Sequence, residues 1–294
     1  MKISDVKKIT GCSKKAIEYY IEKNLLFPTV QENGYRDFSE EDIKRLKKIR
    51  ILSRLGLSLS EIKEFVNGEN GHTLLQAASV SALRLHQEKQ KLQLLNDLVA
   101  GSDWNLTERE LNILEKKDSV LEKLLLLFPG FYGEFLAFHF GPFLQNAVTT
   151  EQQEEAYEEI IDWLDTVQFS IPEDLIPYLE EVGRLYSVKR SDIFESVQTA
   201  QEKLISDPKT YLRNNESAME EYQKLKETEA WRSSPACRLQ EVLKQFNHSS
   251  GYNEIFIPAM IRLSPSYAEY HRKLEQANAL YLKMLDEKQN CDSA

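Results

Sequence analysis

A chain of 294 residues with 41% hydrophobic side chains is long enough for two domains, each with an ordinary core. Its net charge of −10 argues against non-specific coating of nucleic acid, and Cys12, Cys237 and Cys291 are too few and too scattered for a disulfide framework or a thiolate metal site. The opening MKISDVKKIT has no apolar run, so no secretion signal is expected and the reading is a cytoplasmic protein with reduced thiols. The total charge hides an asymmetry. Residues 1–70 hold 14 Lys and Arg against 11 Asp and Glu, a net of +3, and the remainder holds 23 against 36, a net of −13. Counterion release needs only a local cluster of cations at the phosphates, so a mildly basic head on a repelling body suits site-specific DNA binding. Chance imbalance in a solvated surface is the plain alternative.

In chain order, Ser4 reads as a helix cap ahead of Val6 and Ile9, and Thr10-Gly11-Cys12 as a break before a second cap, Ser13. In the second helix Ala16, Ile17, Tyr20 and Ile21 form one inner face, which leaves Lys14, Lys15, Glu18 and Tyr19 outward. Two short helices at a glycine turn make a helix-turn-helix whose second member is offered to a major groove. Leu25-Leu26-Phe27-Pro28 ends that helix. Glu32-Asn33-Gly34, between Thr29-Val30 and Tyr35-Arg36-Asp37-Phe38, predicts a β-hairpin wing. Ser39 with Asp42, and Ser58 with Glu61, predict capping boxes that open two more helices. The first carries Ile43, Leu46, Ile49 and Leu52 inward, with Lys44, Lys47, Lys48 and Arg54 outside.

The stretches I3-S-D-V-K-K-I-T-G-C-S-K-K-A-I-E-Y-Y, L25-L-F-P, N33-G-Y-R-D-F-S-E-E-D and R54-L-G-L-S-L-S-E-I-K, in that order, closely resemble the DNA-binding domain of the MerR family. The resemblance covers about residues 1–70. It implies that Tyr19 faces DNA while Tyr20 packs inward, that Lys14 and Lys15 meet the groove, and that Tyr35 and Arg36 reach the flanking backbone. It also implies a homodimer on double-stranded promoter DNA, an underwound and kinked duplex centre, and RNA polymerase on the same promoter. The family commonly has Arg immediately before the double tyrosine, where this chain has Glu18. That carboxylate either accepts from a cytosine amino group or pairs with Lys14 or Lys15 within its own helix.

Residues 72–100 read as one long helix with Ala78, Leu85, Leu92 and Val99 at seven-residue spacing. The spacing suits a two-stranded coiled coil, and the family places its dimerisation helix here; packing on the chain's own tail is the competing reading. The expected division is therefore a winged helix-turn-helix over 1–70, a dimerisation helix over 71–101 and an effector or interaction domain over 102–294. No strand pattern follows Asp103, so the fold class is mainly α, with the wing its only hairpin and the tail all-helical. Caps are expected at Thr107, at Thr150 with Gln153, at Pro172, at Ser234-Pro235 and at Ser264-Pro265.

Leu124–Leu144, LLLLFPGFYGEFLAFHFGPFL, gathers aromatic rings around Glu134 and His139. Glycines, prolines and a glutamate interrupt it, which argues against a membrane span. Plain core is one reading. The other is a pocket for a small apolar or cationic effector, with Phe131, Glu134, Phe135, Phe138 and His139 as its lining. No phosphate loop, nucleophile elbow or zinc-binding helix motif occurs, so neither catalysis, nor a cofactor, nor a metal is expected. Beyond DNA binding, two functions remain open for the tail: a small-molecule sensor, or a surface for a protein partner.

Overall fold

The computed structural model describes residues 1–68, 71–128 and 131–292. Pro129 and Gly130, and the side chains of His72 and Cys291, lie outside the described residues. The chain divides into two compact units, Met1–Ala77 and Ala78–Ala294.

The first unit opens with α1 (Ile3–Thr10) and α2 (Lys14–Glu22). Ser4 does not cap α1. The helix starts earlier, because the Lys2 carbonyl already accepts from the N–H groups of Asp5 and Val6 at 3.0 and 3.1 Å. Its inner residues are Val6 and, one turn on, Thr10, whose Oγ1 donates to the Val6 carbonyl at 2.7 Å. Ile9 is left outside. Gly11 adopts φ +67°, so the turn favours glycine for its backbone, and the Arg50 guanidinium lies close over it. Ser13 caps α2, its Oγ accepting from Ala16 N–H at 3.1 Å.

Strands β1 (Thr29–Val30) and β2 (Arg36–Asp37) pair antiparallel, with Val30 opposite Arg36. Asn33 Oδ1 accepts from Tyr35 N–H at 3.0 Å and Gly34 takes φ +78°, the chemistry of the expected turn. Helix α3 (Glu40–Arg54) opens with the reciprocal Ser39–Asp42 capping box, and α4 (Leu59–Gly68) with Ser58 and Glu61 in the same relation. Val6, Ile17, Leu25, Phe38, Leu46, Ile49 and Ile62 fill the core. Two arginines of α3 tie the unit together. Arg45 donates to the carbonyls of Leu25 at 2.7 Å and Val66 at 3.1 Å and to the Asn67 side chain, while Arg50 donates to the Thr10 carbonyl. Carbonyls left over at helix ends thereby gain donors.

Helix α5 (Gly71–Val99) carries the chain across the unit boundary and ends at Gly101, φ +99°. The second unit continues through α6 (Trp104–Leu127), α7 (Phe131–Phe140), α8 (Glu151–Thr166), α9 (Ile176–Ser206), α10 (Pro208–Asn214), α11 (Glu216–Glu227), α12 (Glu229–Arg232), α13 (Pro235–Ser249), α14 (Ile257–Leu263) and α15 (Pro265–Asp292). Short 3-10 turns at Gly141–Leu144 and Glu173–Leu175 and a π turn at Tyr252–Phe256 join them. Asp103, not Thr107, caps α6: its Oδ1 accepts from Asn105 and Leu106 N–H at 2.9 and 3.0 Å, and Thr107 is buried one turn in. The caps at Thr150, Ser234 and Ser264 form as expected.

The core of this unit is aromatic. Phe128 meets the rings of Tyr132, Phe169 and Phe246 at 5.2–5.4 Å, and Phe140 and Trp163 close on Phe256 at 5.1 and 4.8 Å. Trp163 Nε1 donates to the Ser250 carbonyl at 2.7 Å, so burying the indole leaves no donor unpaired. The segment Leu124–Leu144 is broken into the end of α6, α7 and a 3-10 turn, and no described helix is long and apolar enough to cross a membrane. Helix α7 can fold back on α6 because Gly133 has no side chain; a Cβ there would collide with the Phe128 carbonyl oxygen. Gly133→Ala is therefore expected to destabilise the unit by about 1–3 kcal/mol. Thermal denaturation should show the midpoint falling by several degrees, whereas alanine at the open Gly101 position should act only through its positive φ.

Candidate nucleic-acid interface

Lysines in the first turn of a helix oppose its dipole, at a cost of about 0.3–1 kcal/mol each. Helix α2 begins with Lys14 and Lys15 and has no acid in its first turn. Such an arrangement gains most from an anion placed at that end. Lys15 and Tyr19 stand one turn apart, both exposed, and Lys23 Nζ lies 5.7 Å from the centre of the Tyr19 ring. Tyr20, by contrast, packs partly buried against the core. Glu18 is half-buried, and Lys14 Nζ comes within 3.6 Å of its Oε1, the intrahelical pairing that was one of the two readings of that residue. In the wing, Tyr35 and Arg36 are exposed, Tyr35 at 72%. On α3 Lys44, Lys47 and Arg54 are exposed, while Arg45 and Arg50 are spent on backbone carbonyls. The sequence reading named Lys44, Lys47, Lys48 and Arg54 as outside and gave Arg45 and Arg50 no role. Their half-buried positions, one turn from Ile49 and Leu46, are what sets them apart.

Helix α5 has two unlike faces. Ser79 and Val80 are buried and Leu83 packs on the aromatic core. Arg84 reaches Glu122 of α6 at 2.5 Å, and Lys91 reaches Glu115 at 3.9 Å. The opposite face carries Ala78, Leu85, Leu92 and Val99, with Leu95 beside them, all exposed; Val99 reaches 83%. Four large apolar side chains in one row on a solvent face are a candidate interface.

The five aromatic-segment residues separate into two sets. Phe135 and His139 stack on each other at 6.3 Å, and the His139 ring lies 5.5 Å from Tyr270 and 4.8 Å from Phe140. Burial holds the His139 imidazole below its usual pKa, in the neutral form. Phe138 instead stacks on Phe194 of α9 at 4.1 Å, and Phe131 lies 5.8 Å from Tyr186. Glu134, 3% exposed, accepts from Ser79 Oγ. Glu134 and Phe138 line a cleft of about 520 Å³ together with Ser79, His86, Asp118 and Phe194. Phe131, Phe135 and His139 do not line that cleft. The sequence reading missed Asp118, although a signal exists: it interrupts the apolar face of α6 formed by Leu114, Leu121 and Leu125. Ser79, His86 and Phe194 carry no such mark, because only the packing of α5 and α9 brings them there.

Residues 1–69 match the family described as MerR HTH family regulatory protein. The chain is 44% identical over 68 residues to the HTH-type transcriptional regulator CueR of Escherichia coli O6:H1, covering 23% of this chain and 50% of that protein. It is 36% identical over 99 residues to CueR of Yersinia pestis, covering 33% and 70%. It is 31% identical over 116 residues to a probable heavy metal-dependent transcriptional regulator of Haemophilus influenzae, covering 35% and 91%. The chain spans about half the length of the E. coli relatives it matches, and no solved structure matches it. With a helix-turn-helix, a wing and two following helices that agree with these matches, the chain belongs to the MerR family of helix-turn-helix regulatory proteins.

Proposed function

We propose that the chain is a homodimeric transcription regulator that grips promoter DNA through α2 and the wing, joins its partner copy along α5, and answers to a small molecule held in the second unit. The observation that carries the DNA reading is the exposed set Lys14, Lys15, Tyr19, Tyr35 and Arg36, with the half-buried Glu18 beside Lys14, on a domain of this family. Lysine and arginine neutralise phosphates and set register, while Glu18 on the recognition helix has the chemistry to accept from a cytosine amino group once it leaves Lys14.

Two half-sites on one duplex call for two heads at a fixed spacing, and the bare leucine row of α5 supports α5 as the seam that sets it. As in the family, the duplex centre is underwound and kinked, which brings promoter elements into register for RNA polymerase. An effector alters this only by binding two conformations of the dimer unequally. A cleft walled by the inner face of α5 is suitably positioned, since a small shift of that helix moves the seam on its other face.

Alanine at Lys15, Tyr19 or Arg36 is expected to weaken operator binding while leaving the thermal midpoint within about a degree, as for any exposed side chain. For Lys15→Ala and Arg36→Ala the slope of log affinity against log salt should flatten by about one unit if each touches one phosphate. Parallel losses of stability would remove these residues from the interface.

Changing Leu85 and Leu92 together to Asp should give monomers in light scattering and abolish binding to a two-half-site operator, with each chain still folded by circular dichroism. Dimers that survive the double change would assign the seam elsewhere.

Probing the bound operator with a reagent sensitive to unstacked bases should reveal a reactive centre between two protected half-sites. A duplex of uniform reactivity, with and without effector, would overturn the distortion.

A further inference from the structure

The cleft between α5, α6, α7 and α9 holds two carboxyl groups, Asp118 and Glu134, against one ammonium, Lys117, and one imidazole, His86. Asp118 is 7% exposed, and no protein donor reaches its Oδ1 among the described residues. Its carboxyl is held above the usual carboxylate range chiefly by burial, which outweighs Lys117, a hydrogen bond from Gln87, His86 and Lys91. A buried carboxyl oxygen in this state either keeps a proton or gains a cation. Lys117 acts on it through space without donating to Oδ1.

The rest of the lining selects among cations. Phe138 and Phe194, stacked at 4.1 Å, give one wall an aromatic character, and Leu83, Leu121 and Leu125 add apolar surface. Such surface suits a cation with an apolar or aromatic body rather than a hydrated metal ion, and no three His, Cys, Asp or Glu converge among the described residues. About 520 Å³ is ample for a bicyclic molecule.

We propose that this cleft binds an organic monocation, an ammonium group on an aromatic body, with Asp118 as its counter-ion and the Phe138–Phe194 wall against its ring. This rests on the reading of the second unit as a sensor and names the chemistry of what it senses. Glu134 sits on the opposite helix of the cleft, already engaged by Ser79 of α5, so the cation adds a second charged tie close to the α5–α7 contact.

The test uses three probes with one body and three charges: 1-naphthylmethylammonium, 1-naphthylmethanol and 1-naphthoate, titrated into the full chain by calorimetry at neutral pH. The ammonium should bind at least about ten-fold more tightly than the alcohol, and the carboxylate should not bind detectably. Asp118→Asn should lose that preference, with the ammonium falling about ten-fold or more and the alcohol unchanged, while the unliganded midpoint stays level or rises because a buried carboxyl with no donor at Oδ1 is gone. Phe194→Leu should weaken ammonium and alcohol alike. Equal binding of ammonium and alcohol, no ammonium binding up to millimolar concentration, or undiminished ammonium binding by Asp118→Asn would each overturn the site. Operator affinity measured with and without the ammonium separates the site from the wider reading. Binding that leaves operator affinity unchanged keeps the site and removes the gating. A change in operator affinity that persists in Asp118→Asn places the effector elsewhere and overturns the proposal.

Discussion

A helix of 29 residues cannot bury leucines on two opposite faces in a unit that covers only one of them. Helix α5 turns Val80 and Leu83 inward and is tied to α6 through Arg84 and Lys91, which leaves Leu85, Leu92, Leu95 and Val99 in water. Burying an exposed leucine contributes about 1.5–3 kcal/mol, so a second copy that covers this row gains several such increments per chain. The other proposed properties depend on that constraint. In the proposed dimer a seam on this row would set the spacing of the two DNA-binding heads, while the inner face of the same helix walls the cleft.

The DNA-binding unit reaches its stability by a different route. It is small, its wing strands are two residues each, and its apolar core is correspondingly modest. Arg45 and Arg50 make up part of the difference by donating to carbonyls at the ends of α1, α2 and α4, groups that would otherwise be left without partners. Consequently the basic character of α3 serves two purposes. Half-buried guanidinium groups hold the helices together, and the exposed Lys44 and Lys47 leave positive charge on the surface.

The second unit shows a division within one helix. One side of α7, with Phe135, His139 and Phe140, packs on the aromatic core, and burial keeps His139 neutral. Its other side, with Glu134 and Phe138, looks toward α5 and α9. A buried acid costs stability unless it is paired, and two of them in one cleft are a local departure from what packing alone would select. Departures of that kind concentrate at functional sites.

Local rules decided much of this protein from sequence. Ser13, Ser39, Thr150 and Ser234 cap helices because a side-chain oxygen satisfies a nearby N–H whatever the surroundings, and Asn33-Gly34 turns the wing for the same reason. The exposure of Lys15 and Tyr19 followed from helical period alone, whereas the spacing of Leu85 and Leu92 left a seam and packing on the chain's own tail both open. Where two residues competed for a role, only the folded chain chose. Ser4 lost its cap to a helix start at the Lys2 carbonyl, and Thr107 lost its cap to Asp103, whose side chain takes the first free N–H groups of α6. The aromatic run of Leu124–Leu144 showed which residues were apolar but not which side of α7 each would take, since nearly every position there is aromatic or small and the helical period is lost. Asp118, Ser79 and Phe194 come together from α6, α5 and α9, and contacts between residues so far apart in the chain are written in tertiary packing rather than in any local spacing.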